Sequence, residues 1–194
     1  MTRLVDPVHR PGTLADRPQP VSDVGGGLVL RPWSLGDVGA VVAAYADPQI
    51  RLWHHVTMTD AEAAVWIEHH SRNWLDETDA DWAVALDDEV VGRVALRGID
   101  LVSGQAEVTY WTLPTARRHG VARRAAEGIA RWALTEVGFW RLEVRHSTLN
   151  ALSCRVATTA GFEPEATLAR AQLHEDGWHD VHVHSRFCSV GSEH

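Results

Sequence analysis

Hydrophobic and polar positions along the 194-residue chain change period several times, and each change marks an element. Leu28-Val29-Leu30-Arg31-Pro32-Trp33 predicts a short strand, after which Ser34 can cap a helix carrying Val38, Val41, Val42 and Tyr45 on one face. Asp47-Pro48 is expected to end that helix. Thr59 and Glu62, three residues apart, form a capping box for a second helix that turns Ala63, Trp66, Ile67, His70 and Trp74 inward. Trp82 to Leu86 and Val90 to Leu96 flank Asp87-Asp88 as a hairpin. A third strand, Ala106 to Leu113, alternates Ala106, Val108 and Tyr110 against Glu107, Thr109 and Trp111.

Pro114 ends that strand, and a helix from Gly120 to Glu136 follows with Val121, Ala125, Ile129 and Trp132 as its apolar stripe. Leu142 and Val144 alternate in another strand. Asn150 caps a short helix that Gly161 closes in a left-handed conformation. The last segment reads as a hairpin turning at Glu175-Asp176-Gly177, with Val181, Val183, Ser185 and Phe187 alternating after it. The order β-α-α-β-β-β-α-β-α-β-β predicts an α+β fold with a mixed, mostly antiparallel central sheet flanked by helices. Residues 1–26, with four prolines and a closing Gly25-Gly26, lack any period and are expected to be an arm or linker; residues 27–194 form a single domain.

Composition narrows the chemistry. All 18 basic residues are arginine, which excludes a pyridoxal Schiff base, a Walker-type phosphate lysine and a lysine nucleophile. The net charge of −8 argues against a general nucleic-acid binder. Yet residues 117–145 carry seven arginines against three glutamates, a basic strip that suits a small polyanionic ligand. Cys154 and Cys188 are the only cysteines, and neither a long apolar window nor a leader-like apolar stretch occurs, so a reducing, cytoplasmic setting without a membrane is expected.

The most informative segment is Leu113-Pro114-Thr115-Ala116-Arg117-Arg118-His119-Gly120-Val121-Ala122, a strand, a polar turn and a helix start. Unpaired N–H groups at a helix N-terminus attract anions, small residues admit phosphate oxygens to the backbone, and flanking arginines add charge-assisted bonds. The segment resembles the pyrophosphate loop of the GNAT N-acetyltransferase superfamily. Asn150-Ala151-Leu152-Ser153, followed by Ala160-Gly161-Phe162, is similar to a second motif of that family. The pairing of Asn150 with Ser153, Ala157 where many members have tyrosine, and Ala106-Glu107-Val108-Thr109-Tyr110-Trp111, with Thr109 in place of a glycine, resemble the ribosomal-protein N-terminal acetyltransferase branch.

The resemblance implies acetyl-CoA as co-substrate, held by Thr112, Leu113, Arg117, Arg118, His119, Gly120, Val121, Ala122, Asn150 and Ser153, with a backbone N–H near Thr112 and Leu113 for the thioester oxygen. It implies Ser153, with Asn150, at the coenzyme sulfur. Glu107, beside the expected thioester, is the candidate base through a water, or else a surface carboxylate on a half-exposed strand. Trp53, Trp74 and Trp111 are candidates to line a pocket for a cationic amine. The implied reaction is direct acetyl transfer to a primary amine, either a protein N-terminus or a small molecule; a silent acyl-CoA-binding sensor or scaffold is the alternative. A homodimer is left open, and nucleic acid is not an expected partner. Among the histidine pairs only His182 and His184 share a strand face, and without metal-ligand spacing no metal is expected.

Overall fold

The computed structural model describes residues 5–188. Among the described residues eight strands form one sheet: β1 (Ser22–Asp23), β2 (Leu28–Arg31), β3 (Ala80–Leu86), β4 (Glu89–Asp100), β5 (Gln105–Thr112), β6 (Arg141–Ser147), β7 (Glu163–His174) and β8 (Gly177–Phe187). Their order is β1-β2-β3-β4-β5-β6-β8-β7, and every neighbouring pair is antiparallel except β5 and β6. The helices are α1 (Val38–Ala46), α2 (Pro48–His54), α3 (Asp60–Leu75), α4 (Val121–Arg131) and α5 (Ala151–Thr159).

Both faces of the sheet are covered, so its central strands lose the simple alternation of a half-exposed sheet. On one face Val84, Val94, Leu96, Ala106 and Val108 pack against Val121, Ala125 and Ile129 of α4. On the other, Ala83 and Trp111 meet Val41, Tyr45, Ile50, Ala63 and Ile67 from the first three helices. Gly128 lets the edge segment close on α4, because a Cβ there would come within 2.3 Å of Val24 Cγ1.

Three differences from the sequence pattern have local causes. Pro48 does not stop helical structure: Asp47 caps a new helix, accepting the Ile50 N–H at 3.0 Å, and Pro48 occupies its first turn, where a missing N–H costs nothing. Beyond Arg131 the predicted long helix widens into a π-helical stretch, Trp132–Val137. Finally, residues 8–26 pack along the body. Leu14 is fully buried in the core, Glu77 accepts the N–H groups of Gly12 (2.7 Å) and Leu14 (2.6 Å), and Ser22–Asp23 pair with β2. Apolar residues too sparse to show a period still bury when the neighbouring surface is ready-made.

A buried polar network holds α3 to the sheet. Asp81 on β3 accepts hydrogen bonds from Arg93 on β4 and from Trp33 Nε1 at 2.9 Å, and lies 3.0 Å from His70 Nε2 on α3. These partners hold its carboxyl far below the usual range despite complete burial. Among the described residues no helix is long and apolar enough to cross a membrane.

Candidate active site

The site begins where β5 and β6 part. Their parallel pairing covers only Gln105 to Glu107 against Arg141 to Glu143, yet β5 continues to Thr112 and β6 to Ser147. On its other side β5 stays paired with β4, and the Leu113 N–H donates to the Val91 carbonyl at 2.9 Å. Antiparallel alternation therefore aims the N–H and C=O groups of Val108, Tyr110 and Thr112 into the opening. This corrects the expectation for Leu113, whose N–H is already used.

Two cavities meet there. The larger, about 690 Å³, runs from Trp53, Tyr110 and Thr112 past Ser153 to the start of α4. Gly120, with φ +74°, is the N-cap of α4, and no side chain caps the first-turn N–H groups. That φ suits glycine, and the uncapped N–H groups of Val121, Ala122 and Arg123 leave a concentrated positive end. Arg117, Arg118, Arg123 and Arg155 also line the cavity, Arg117 and Arg123 in ion pairs with Asp47 and Glu127, so guanidinium groups surround this end of it.

Arg117 has a further duty. Its guanidinium ion-pairs with Asp47, donates to Gln49 Oε1 at 2.8 Å and donates to the Thr112 carbonyl at 3.3 Å, tying α2 to the loop. The sequence pattern missed α2 and so missed these partners. His119 is exposed and, like Leu113, lies outside the cavity lining.

The smaller cavity, about 160 Å³, is lined by Trp53, His54, Glu107, Thr109, His146 and Gln172 among others. Burial raises the Glu107 carboxyl above its ordinary value, opposed in part by Arg145, while Glu143 adds to the rise. Burial and the charge of Arg93 push the His54 imidazole down to about 4, so the ring is neutral near pH 7. Between the cavities, Asn150 Oδ1 caps α5 by accepting the Ser153 N–H at 3.0 Å. Ser153 Oγ lies 2.9 Å from Tyr110 Oη, which also donates to the Ser153 carbonyl at 3.1 Å. Burial raises the Tyr110 phenol well above its normal value and keeps it protonated.

Of the three tryptophans proposed for an acceptor pocket, only Trp53 lines both cavities. Trp74 is 4% exposed, packs in the core against Trp82 and Trp132, and donates its Nε1–H to the Arg17 carbonyl at 3.1 Å. Trp111 borders the larger cavity, but its ring is buried beside Trp33 and Tyr45. His54 and Tyr110 were missed as site residues. Tyr110 was visible as a strand residue, but its contact with Ser153 spans 43 positions.

A family model described as an acetyltransferase (GNAT) domain matches residues 27–163. The chain belongs to the GNAT acetyltransferase family. That membership makes it an acetyl-CoA-dependent N-acetyltransferase. No curated protein matches the sequence. Solved structures share the fold at low identity. RimL, a ribosomal L7/L12 alpha-N-protein acetyltransferase in complex with coenzyme A, aligns at a TM-score of 0.81 and 15% identity over 89% of this chain and 100% of its own. Mycobacterium smegmatis RimJ, in complex with a CoA disulfide, gives 0.77 and 20% over 86% and 84%. The microcin C7 self-immunity acetyltransferase MccE, in complex with acetyl-CoA and AMP, gives 0.77 and 17% over 84% and 94%.

Proposed function

We propose that this acetyltransferase moves the acetyl group of acetyl-CoA directly to a primary amine, with the thioester lying in the opening between β5 and β6. The observation that carries the reading is the continuity of that opening with the uncapped N-terminus of α4. One groove offers N–H donors and arginines for a diphosphate at one end and strand N–H groups for a thioester at the other.

The amine enters through the smaller cavity, beside Trp53, His54 and Glu107. Its nitrogen attacks the thioester carbon, the C–N bond forms and the C–S bond breaks. The developing oxyanion is held by an N–H of β5 facing the opening, that of Tyr110 or Thr112. Ser153 Oγ protonates the departing sulfur and recovers a proton through Tyr110, whose phenol is re-protonated from solvent, while the proton lost by the amine passes to Glu107 through a water, or to neutral His54. Asn150 positions Ser153 by capping α5.

An α-amine is the acceptor that fits best. With a pKa near 8 it is about one-tenth neutral at pH 7, whereas a lysine-type amine near 10.4 is almost wholly charged. A protein N-terminus or a small α-amine therefore needs only weak base assistance. RimL, an alpha-N-protein acetyltransferase, shares the fold. The test is release of free coenzyme A thiol in the presence of short peptides with free N-termini, matched peptides blocked at the N-terminus, and simple alkylamines. Release is expected with free N-termini and absent with blocked ones. Release only with alkylamines would overturn the acceptor assignment.

A further inference from the structure

The sequence alone aligned only His182 and His184, one strand pair. The fold adds two donors: His146 on β6, directly opposite His182 in register, and Cys154 on α5. One ligand atom from each of these four residues lies within 4.8 Å of all the others. The Cys154 Sγ to His184 Nε2 distance is 3.8 Å, against about 3.6 Å for the edge of a zinc tetrahedron with sulfur at about 2.3 Å and nitrogen at about 2.0 Å.

His146 is held in the tautomer that a ligand needs. His146 Nδ1 donates to the Ser147 carbonyl at 2.8 Å, which fixes the tautomer and leaves Nε2 with a lone pair. That Nε2 is buried and has no hydrogen-bond partner among the described residues. His146 and His184 are 5% and 1% exposed, and their rings stack at 5.2 Å. Three imidazoles and one thiolate suit a borderline-soft ion that accepts four-coordinate geometry.

We propose that Cys154, His146, His182 and His184 form a tetrahedral site for Zn²⁺ that clamps α5 to β6 and β8. The cysteine loses its thiol proton on binding, and no electron is transferred. Because α5 carries Asn150 at its cap and Ser153 in its first turn, the clamp fixes the helix that presents these two residues to the opening. The site shares His146 with the lining of the smaller cavity, but ion binding needs no coenzyme and can be read in its absence.

The test uses chelator-treated full-length protein titrated with Zn²⁺ alone against a chromophoric chelator, and with Co²⁺ as a spectroscopic probe. One equivalent of Zn²⁺ is expected to bind with sub-micromolar affinity. Co²⁺ should give a thiolate-to-metal band and the visible bands of a tetrahedral ion. Cys154→Ala should abolish the thiolate band. His182→Ala, at a partly exposed position that leaves the core intact, should weaken Zn²⁺ binding at least about tenfold. His174→Ala, in the separate histidine group with His55 and His179, should leave binding unchanged. Absence of tight binding, a Co²⁺ spectrum without a thiolate band, or binding lost in His174→Ala but kept in His182→Ala would overturn the proposal.

Discussion

Tyr110 on β5 reaches across the parted strands to Ser153 on α5, with 2.9 Å between their hydroxyl oxygens. The pair joins the sheet to the helix, and both residues line both cavities, as do Trp53, His54 and Asn150. Removing either hydroxyl should slow the departure of the sulfur rather than the binding of the coenzyme. Tyr110→Phe and Ser153→Ala are each expected to lower kcat about 10²-fold, while the Kd for acetyl-CoA stays within about threefold. Combining them should cost little more than the worse single change, because the two act in series. Single-turnover kinetics with calorimetric Kd values would check this.

Gly120 sits at the start of α4 with a left-handed backbone. Gly120→Val forces a β-branched residue into that region at about 1–2 kcal/mol or re-aims the turn. A modest fall in Tm is expected together with loss of acetyl-CoA binding. A variant that lost stability but bound acetyl-CoA normally would remove the α4 N-terminus from the account.

Asp81 is the shared acceptor for Arg93 and Trp33 and lies 3.0 Å from His70 Nε2. Asp81→Ala leaves a buried guanidinium without its counter-charge and should destabilise the fold by about 3–5 kcal/mol. Denaturant unfolding gives the value directly. Replacement of exposed Glu68, whose contact with Arg72 is a loose surface pair at 3.9 Å, should change it by less than about 0.5 kcal/mol.

His54 supplies a pH signature. Its folded-state value of about 4 lies below the ordinary 6.5, so between those limits the unfolded chain binds more protons than the folded one. Stability therefore rises with pH across this window, and His54 contributes about 3 kcal/mol that is fully present above pH 6.5 and lost as pH falls toward 4. His54→Gln should reduce the slope of the urea midpoint between pH 4 and 6.5, with the remainder carried by His9, His146, His174 and His184, which burial also lowers. In the wild-type enzyme kcat/KM should show no inflection near 6.5 from this residue.

Much of the architecture follows from periodicity, because amphipathic helices such as α4 and hairpins such as β3–β4 carry their signals locally. The helix start at Gly120 was legible for the same reason: the glycine, Arg117, Arg118 and the first turn of α4 fall within ten residues. What stayed hidden depends on distant pairing. Pro48 reads as a terminator unless Asp47 is recognised as a cap, and with α2 missed, His54 and the Asp47–Arg117 link were missed too. Trp74 looks like Trp53 in sequence, and only packing separates core from cavity wall, while Trp111 borders the larger cavity with its ring buried. The strand separation after Glu107 follows from where pairing between β5 and β6 stops, which no local pattern encodes.

The central claim is amine-dependent acetyl transfer from acetyl-CoA in the opening between β5 and β6. The most direct measurement combines calorimetric titration of the purified protein with acetyl-CoA and continuous detection of free thiol as peptides with free N-termini are added. One coenzyme should bind per chain, thiol release should require the amine, and both should be lost in Gly120→Val. Binding without release to any amine would leave a silent acyl-CoA-binding module, and no binding at all would contradict the assignment of the groove itself.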